Sequence, residues 1–371
     1  MTKSFYYFIA NNGFQRIAFD LVGLFGVLYL YKLFGNSVEL SIGLLSLIYI
    51  LMPFFTFLFL PFMEKIGTRK SIILGGTISV LSVIPMFYFE TRIWLYFALW
   101  VCLASIAKVF YYIPYHYYTV KFTEGNGRGK QMSFVNSLIL FLSVLTPLIG
   151  GFATQYWGVV GIAMMTIFFA ILAVIPLFKI EDYHFKISEN MMGLLVQPDL
   201  QQTLKLLVIT EFQAKETFWQ LYIFIFVGSS FGNFGIIISL ATLLTIPLLL
   251  FFGKFSDHHN KKWFIRVHGV VSSIIWVACT LVNSLFQVVF VDILNKVNYN
   301  IRNQTLGIVL YDLANKDKQD DLLDEKIILR ESFDNLALGL GLLSGAVIVY
   351  FFGFAGVFIF AAIVALLFTR V

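Results

Sequence analysis

The sequence predicts an all-α membrane protein, with twelve transmembrane helices arranged as two pseudo-symmetric six-helix bundles. Three observations carry that reading. Of 371 residues 59% are hydrophobic and only 13% charged, against about 25% charged in soluble domains. The apolar residues fall into runs long enough to cross about 30 Å of hydrocarbon. A short charged loop also occurs twice, with matching words ahead of each copy: Phe14-Gln15 and Phe34-Gly35-Asn36 in the first half, Phe212-Gln213 and Phe231-Gly232-Asn233 in the second. A membrane module written twice points to a two-domain architecture with a site between the halves.

The runs lie at roughly 13–33, 40–61, 71–89, 93–117, 131–153 and 159–179, then at 204–227, 235–253, 263–283, 285–310, 329–351 and 353–370. Six fall on each side of a polar stretch. The expected units are therefore an N-terminal bundle over 1–180, a linker over 181–203 and a C-terminal bundle over 204–371. The first run is too long and too polar for a cleaved signal peptide. Cys102 and Cys279 both sit inside apolar runs, which suggests neither a disulfide framework nor a zinc site.

Lysine and arginine orient the array. One set of loops holds Lys65, Arg69, Lys70, Lys121, Arg128, Lys130, Lys179, Lys186, Lys254, Lys261, Lys262, Lys316, Lys318 and Lys326, while the alternate loops hold little beyond Lys32 and Arg92. The positive-inside rule then places the charged loops, the linker and both termini in the cytoplasm of a multi-pass cell-membrane protein. The same rule accounts for the formal net charge of +5 without a nucleic-acid partner.

An acidic or basic side chain at a helix centre costs about 2.5–3.5 kcal/mol on insertion scales. The chain nevertheless places Arg16 and Asp20 in run 1, Lys108 in run 4, Glu211, Lys215 and Glu216 in run 7, and Asp292 and Lys296 in run 10. Eight such residues facing lipid would cost roughly 20 kcal/mol, more than typical total stability. They are expected to face a protein interior or a watery cavity. Arg16/Asp20, Glu211/Lys215 and Asp292/Lys296 are i,i+4 pairs able to neutralise themselves on one helix face. The polar faces continue through Tyr112 and Tyr115 on run 4, Trp219 and Tyr222 on run 7, and Asn295 and Tyr299 on run 10. The plainer alternative is that these pairs only join helices together.

The duplicated loop resembles the signature of the major facilitator superfamily, Gly-x-x-x-Asp-Arg-x-Gly-Arg-Arg or close to it. The second copy matches at Gly253, Asp257, Lys261 and Lys262, with His258 and Asn260 as departures. The first matches at Gly67 and Arg69, with Leu60, Glu64 and Lys65 where Gly, Asp and Arg stand in the family. The resemblance covers the whole chain and implies the major facilitator fold, in which spans 1, 4, 7 and 10 line the central cavity. Those are the spans that carry the eight charges. It also implies that Glu64 and Asp257 latch the cytoplasmic gate, and that spans 5 and 11 cross to spans 8 and 2. Small residues fit that crossing: Pro147-Leu148-Ile149-Gly150-Gly151 and Gly341-Leu342-Leu343-Ser344-Gly345. The first run is similar to the tail of an antiporter motif, with Thr146 where a glycine is expected.

The function expected is secondary active transport of a small solute, proton-coupled and leaning to efflux of amphipathic compounds, by a monomer without cofactor. Uptake of a sugar or other metabolite is the alternative, and an intramembrane enzyme or receptor is the competing class. No Ser/His pair, facing aspartates or His-Glu-x-x-His lies at depth, and no phosphate-binding glycine loop suggests ATP. His258-His259 beside Asp257 is read as part of the gate loop rather than a metal site. Glu216, about 100° around the helix from the Glu211/Lys215 pair, is the expected proton carrier, with Asp20 and Asp292 next.

Overall fold

A computed structural model describes residues 3–122, 128–184, 191–213, 215–256, 261–315 and 323–370. These residues form eleven α-helices and no strand. In the first half they are α1 (Lys3–Leu33), α2 (Val38–Ile66), α3 (Thr68–Val83), α4 (Ile93–Phe122) and α5 (Arg128–Leu177). In the second half they are α6 (Pro198–Gln213), α7 (Glu216–Phe226), α8 (Phe231–Ser256), α9 (Lys261–Cys279), α10 (Leu285–Asn315) and α11 (Leu323–Ala365). Short 3-10 segments follow α3, precede α6 and close the described chain.

Twelve runs become eleven helices for two opposite reasons. Runs 5 and 6 merge into α5, and runs 11 and 12 into α11, yet each merged helix turns at one non-helical glycine: Gly158 at φ 56° and Gly353 at φ 65°. Positive φ is cheap only for glycine, so the chain can reverse there without a loop. The reversal is visible in the packing: the missing side chain of Gly161 faces Ala153 and that of Gly356 faces Phe352 and Ile348. Gly158 and Gly353, like Gly161 and Gly356, recur at the same interval in the two halves. Run 7, conversely, is divided between α6, which ends at Gln213, and α7, which begins at Glu216.

Helix ends follow local chemistry. The Ser37 hydroxyl accepts the Leu40 N–H at 3.1 Å, which caps α2. Gly67 at φ 88° links α2 to α3.

Close approach of small residues joins the halves. Gly151 of α5 lies against the Phe231 carbonyl and Gly235 of α8, and Gly235 against the Pro147 carbonyl. The Ser239 hydroxyl donates to the Val144 carbonyl at 2.7 Å. On the other side Gly339 of α11 meets Ser46 and Ile50 of α2, and Gly43 meets Ala346. This differs in detail from the expectation for run 11. Gly341 and Gly345 face their own half, packing on Glu211 and on the Phe218 ring, because at about 100° per residue Gly341 points about 200° away from Gly339 and Gly345 about 100° away from Ala346.

The largest buried cluster draws on both halves at the end carrying the loops near 34–37 and 227–230. Tyr31 meets Phe224 edge-on at 6.2 Å, Phe25 meets Phe234 at 6.0 Å, and Lys32 Nζ stands 5.8 Å from the Phe224 ring. A second cluster gathers Met52, Leu60 and Met63 of α2, Val109, Phe110 and Ile113 of α4, and Ile328 and Leu329 of α11. Met191 and Leu194, just ahead of α6, pack into it.

Candidate functional site

Arg16 and Asp20 lie one turn apart on the unbroken α1, and Nε donates to Oδ2 at 2.9 Å. Their side chains are 45% and 33% exposed at mid-helix, so they face an opening rather than packed protein. Tyr112 of α4 and Tyr299 of α10 lie within electrostatic range of the guanidinium. The pair therefore looks across to the other half. Lys108 stands on the next wall. Its Nζ is 5.0 Å from the Phe19 ring centre, 5.3 Å from Tyr49 and 5.4 Å from Tyr112, and Phe19 stacks on Tyr112 at 5.6 Å.

The second half holds its charges more tightly. Asp292, 3% exposed, pairs with Lys296 one turn on and accepts the Trp219 Nε1–H from α7 at 3.1 Å. Lys296 also donates to the Ile238 carbonyl of α8 at 3.2 Å. Lys215 is fully buried and donates to the Gly341 carbonyl of α11, between the rings of Phe212 and Phe360. The expected Glu211/Lys215 helix-face pair is absent, because the helix breaks between them and Lys215 leaves helical geometry at φ −116°, ψ 28°. Glu216 begins α7, with Arg302 and Lys215 as the cations in range.

Other expected residues pack inside a half rather than towards the opening. Tyr115 stacks on Phe8 at 5.4 Å and accepts from Asn12 at 3.4 Å. Trp219 and Tyr222 stack on each other, and the Tyr222 hydroxyl donates to the Val282 carbonyl at 3.1 Å. Asn295 reaches the Cys279 sulfur at 3.7 Å.

In the first loop copy the acid that engages the motif is Asp182, just beyond α5. Its Oδ1 accepts the Arg69 N–H at 2.9 Å and its Oδ2 lies 3.9 Å from Arg69 Nε, while Arg69 Nη1 donates to the Ile180 carbonyl at 3.1 Å. The Thr68 N–H donates to the Tyr183 carbonyl at 2.7 Å. A side chain on Gly67 would meet Asp182 at 2.7 Å. Glu64 contributes its backbone carbonyl, 3.1 Å from His184 Nδ1. In the second copy Gly253 and Lys261 lie on the ends of α8 and α9. Asp257, with His258 and His259, lies outside the described residues.

Two groups were missed in the sequence. Arg302 of α10 is 4% exposed and donates to Gln213 Oε1 at 2.9 Å, and Gln213 donates to the Ser272 hydroxyl at 2.7 Å. Its place three residues after Tyr299, on the stripe already identified, was the available signal. His116 of α4 meets Glu331 of α11 across the halves, Nε2 to Oε2 at 3.0 Å. Lys108, Tyr112 and His116 follow one another at i,i+4 spacing, so the same face pointed to it.

The Major Facilitator Superfamily model matches residues 10–238 and 187–369. A comparison with curated protein sequences finds no significant match. Solved structures share the fold at low identity. A D-xylose-proton symporter matches with TM-score 0.72 and 13% identity over 99% of this chain and 96% of that one. A POT family transporter in complex with a thioalcohol-conjugated peptide gives 0.74 and 11% over 99% and 94%. The human organic anion transporter MFSD10 gives 0.69 and 13% over 99% and 98%. The fold and the charged opening between two repeated halves define a multi-pass membrane transporter rather than an enzyme. The chain belongs to the Major Facilitator Superfamily.

Proposed function

We propose that this transporter moves an amphipathic solute by alternating access of its two halves, with a proton gradient as driving force and export as the favoured direction. The observation that carries the reading is the Arg16–Asp20 pair. An ion pair exposed at mid-helix, beside Lys108 and opposite Tyr299, makes sense only if the centre of the bundle is wet. Rings on both walls suit an apolar body. The Tyr31–Phe224 and Phe25–Phe234 contacts close one end, so solute would reach the pair from the end of the charged loops, which the lysine and arginine bias assigns to the cytoplasm.

The bundles 1–180 and 204–371 would rock about the glycine-lined α5/α8 and α2/α11 contacts, and the linker 181–203 would follow. The Arg69–Asp182 clasp, with Gly67 and Glu64 beside it, ties α3 to the start of that linker. It would keep the first bundle rigid, and Asp257 would bias the gate in the second. Glu216 is the proposed proton carrier. The Lys215 ammonium donates to the Gly341 carbonyl, which leaves Glu216 with Arg302 and Lys215 in range but without an ion pair at contact distance among the described residues. A half-buried carboxylate without a fixed cation is a place where a proton can substitute for that charge. Reconstituted Glu216→Gln should lose pH-gradient-driven accumulation and keep solute exchange. Accumulation equal to wild type would move coupling to Asp20 or Asp292, or make the protein a uniporter.

A further inference from the structure

The cations of the central opening are not equivalent, and the difference selects a ligand. Arg16 has Asp20, Lys296 has Asp292, and Lys215 is buried against a carbonyl. Among the described residues Lys108 alone of these four has neither a carboxylate within ion-pair distance nor a carbonyl acceptor. What surrounds it is a ring cage, Phe19, Tyr49 and Tyr112, at 5.0–5.4 Å. Aromatic faces hold an ammonium but bring no counter-charge, so the wall formed by Arg16, Asp20 and Lys108 keeps one net positive charge.

Arg16 adds a second feature. Asp20 takes its Nε–H, and no other side chain among the described residues accepts from its terminal nitrogens, while nearly half of the side chain is open. A guanidinium presents its donors as a planar fork that matches a carboxylate. Phe19, which carries Lys108, lies three residues from Arg16 on the same α1 face, so the fork and the caged ammonium border one site.

We propose that this site binds the anionic head of an amphipathic organic anion, a monocarboxylate with an apolar ring or chain. The carboxylate sits between the terminal nitrogens of Arg16 and Lys108 Nζ, and the apolar body lies against Tyr112 and Tyr299. The proposal rests on the transporter reading and narrows its substrate class.

The test uses full-length purified protein and three ligands of one shape, 2-naphthoate, 2-naphthamide and 2-naphthylmethylamine, with binding measured calorimetrically. Wild type should bind the carboxylate at least tenfold more tightly than the amide and the ammonium least. Lys108→Gln should erase that preference and Lys108→Arg should restore most of it. A second readout needs no ligand. With Cys102 and Cys279 replaced by alanine and Tyr299→Cys introduced, an anionic methanethiosulfonate should react faster than a cationic one, and Lys108→Gln should abolish that difference. Equal binding of the three ligands, or a carboxylate preference that survives Lys108→Gln, overturns the proposal. Counterflow in proteoliposomes separates the two readings. Flux of neutral or cationic solutes alone sinks the anion site and leaves the transporter standing, whereas carboxylate binding without flux of any solute does the reverse.

Discussion

The two halves carry the same internal clasp and use it differently. In the first, Gln15 of α1 donates to the Ser79 hydroxyl of α3 at 3.4 Å, and in the second Gln213 of α6 donates to the Ser272 hydroxyl of α9 at 2.7 Å. Beyond the first glutamine α1 runs on without interruption and sets Arg16 and Asp20 on an open face. Beyond the second the helix breaks, Lys215 turns inward to Gly341, and Arg302 adds a third member to the clasp. One repeat has become an exposed charged wall and the other a buried charge network. The comparison teaches that the repeat preserves packing while charge placement is free to diverge. It also fits the separate tasks proposed above, solute recognition in the first half and coupling in the second.

The largest effect should come from what the halves share. Gly235→Leu would drive a side chain into the Pro147 carbonyl and Gly151 backbone. Backbone cannot retreat as a side chain can, so transport should vanish, with destabilisation of about 3 kcal/mol or more from overpacking. Flux assays and thermal unfolding in detergent read both. A variant that transports normally would show that the halves do not meet at this contact.

Lys215→Met should separate stability from function. Removing a fully buried ammonium while filling its space makes folding neutral or slightly easier, yet the α6–α7 break loses its tie to Gly341. Exchange should fall at least tenfold while the unfolding temperature holds. If exchange and stability fall together, Lys215 is structural only.

His116→Ala removes the one ion pair seen across the halves among the described residues. Both partners are partly exposed, so the pair contributes about 1 kcal/mol. Exchange rate should change two- to fivefold with little change in solute affinity. An affinity loss of tenfold would place His116 in the binding site instead. The smallest effect is expected at the clasp behind the first loop. Gly67→Ala, strained by its positive φ and by Asp182, should cost about 1–2 kcal/mol and slow transport modestly, as thermal unfolding and initial rates would show.

Much of this was legible in the residues. The apolar runs and their repeat gave the all-α membrane fold, and Gly151 stands at the α5/α8 approach that the family resemblance implied. The helix reversals were legible only as gaps between runs, because a single glycine at positive φ leaves no polar loop behind it. The departure of Lys215 from helical geometry ahead of α7 was not legible. Gln213-Ala214-Lys215-Glu216 contains neither proline nor glycine, and i,i+4 spacing argued for a continuous face. The acceptor that draws Lys215 away is the carbonyl of Gly341, 126 residues on, which local propensity cannot report. Asp182 was hidden for the same reason. The motif supplied Glu64 as its acid, whereas the carboxylate that reaches Arg69 comes from beyond α5.

The division of tasks between the halves is tested most directly by one side-by-side measurement. Lys108→Gln and Glu216→Gln are reconstituted at equal density, and both solute counterflow and accumulation driven by an imposed pH gradient are measured. The account predicts a double dissociation. Lys108→Gln should raise the solute concentration needed for half-maximal counterflow at least tenfold and still respond to the gradient at saturating solute. Glu216→Gln should leave that concentration near wild type and fail to respond. Identical defects in the two variants would contradict it, since recognition and coupling would then reside in a single site.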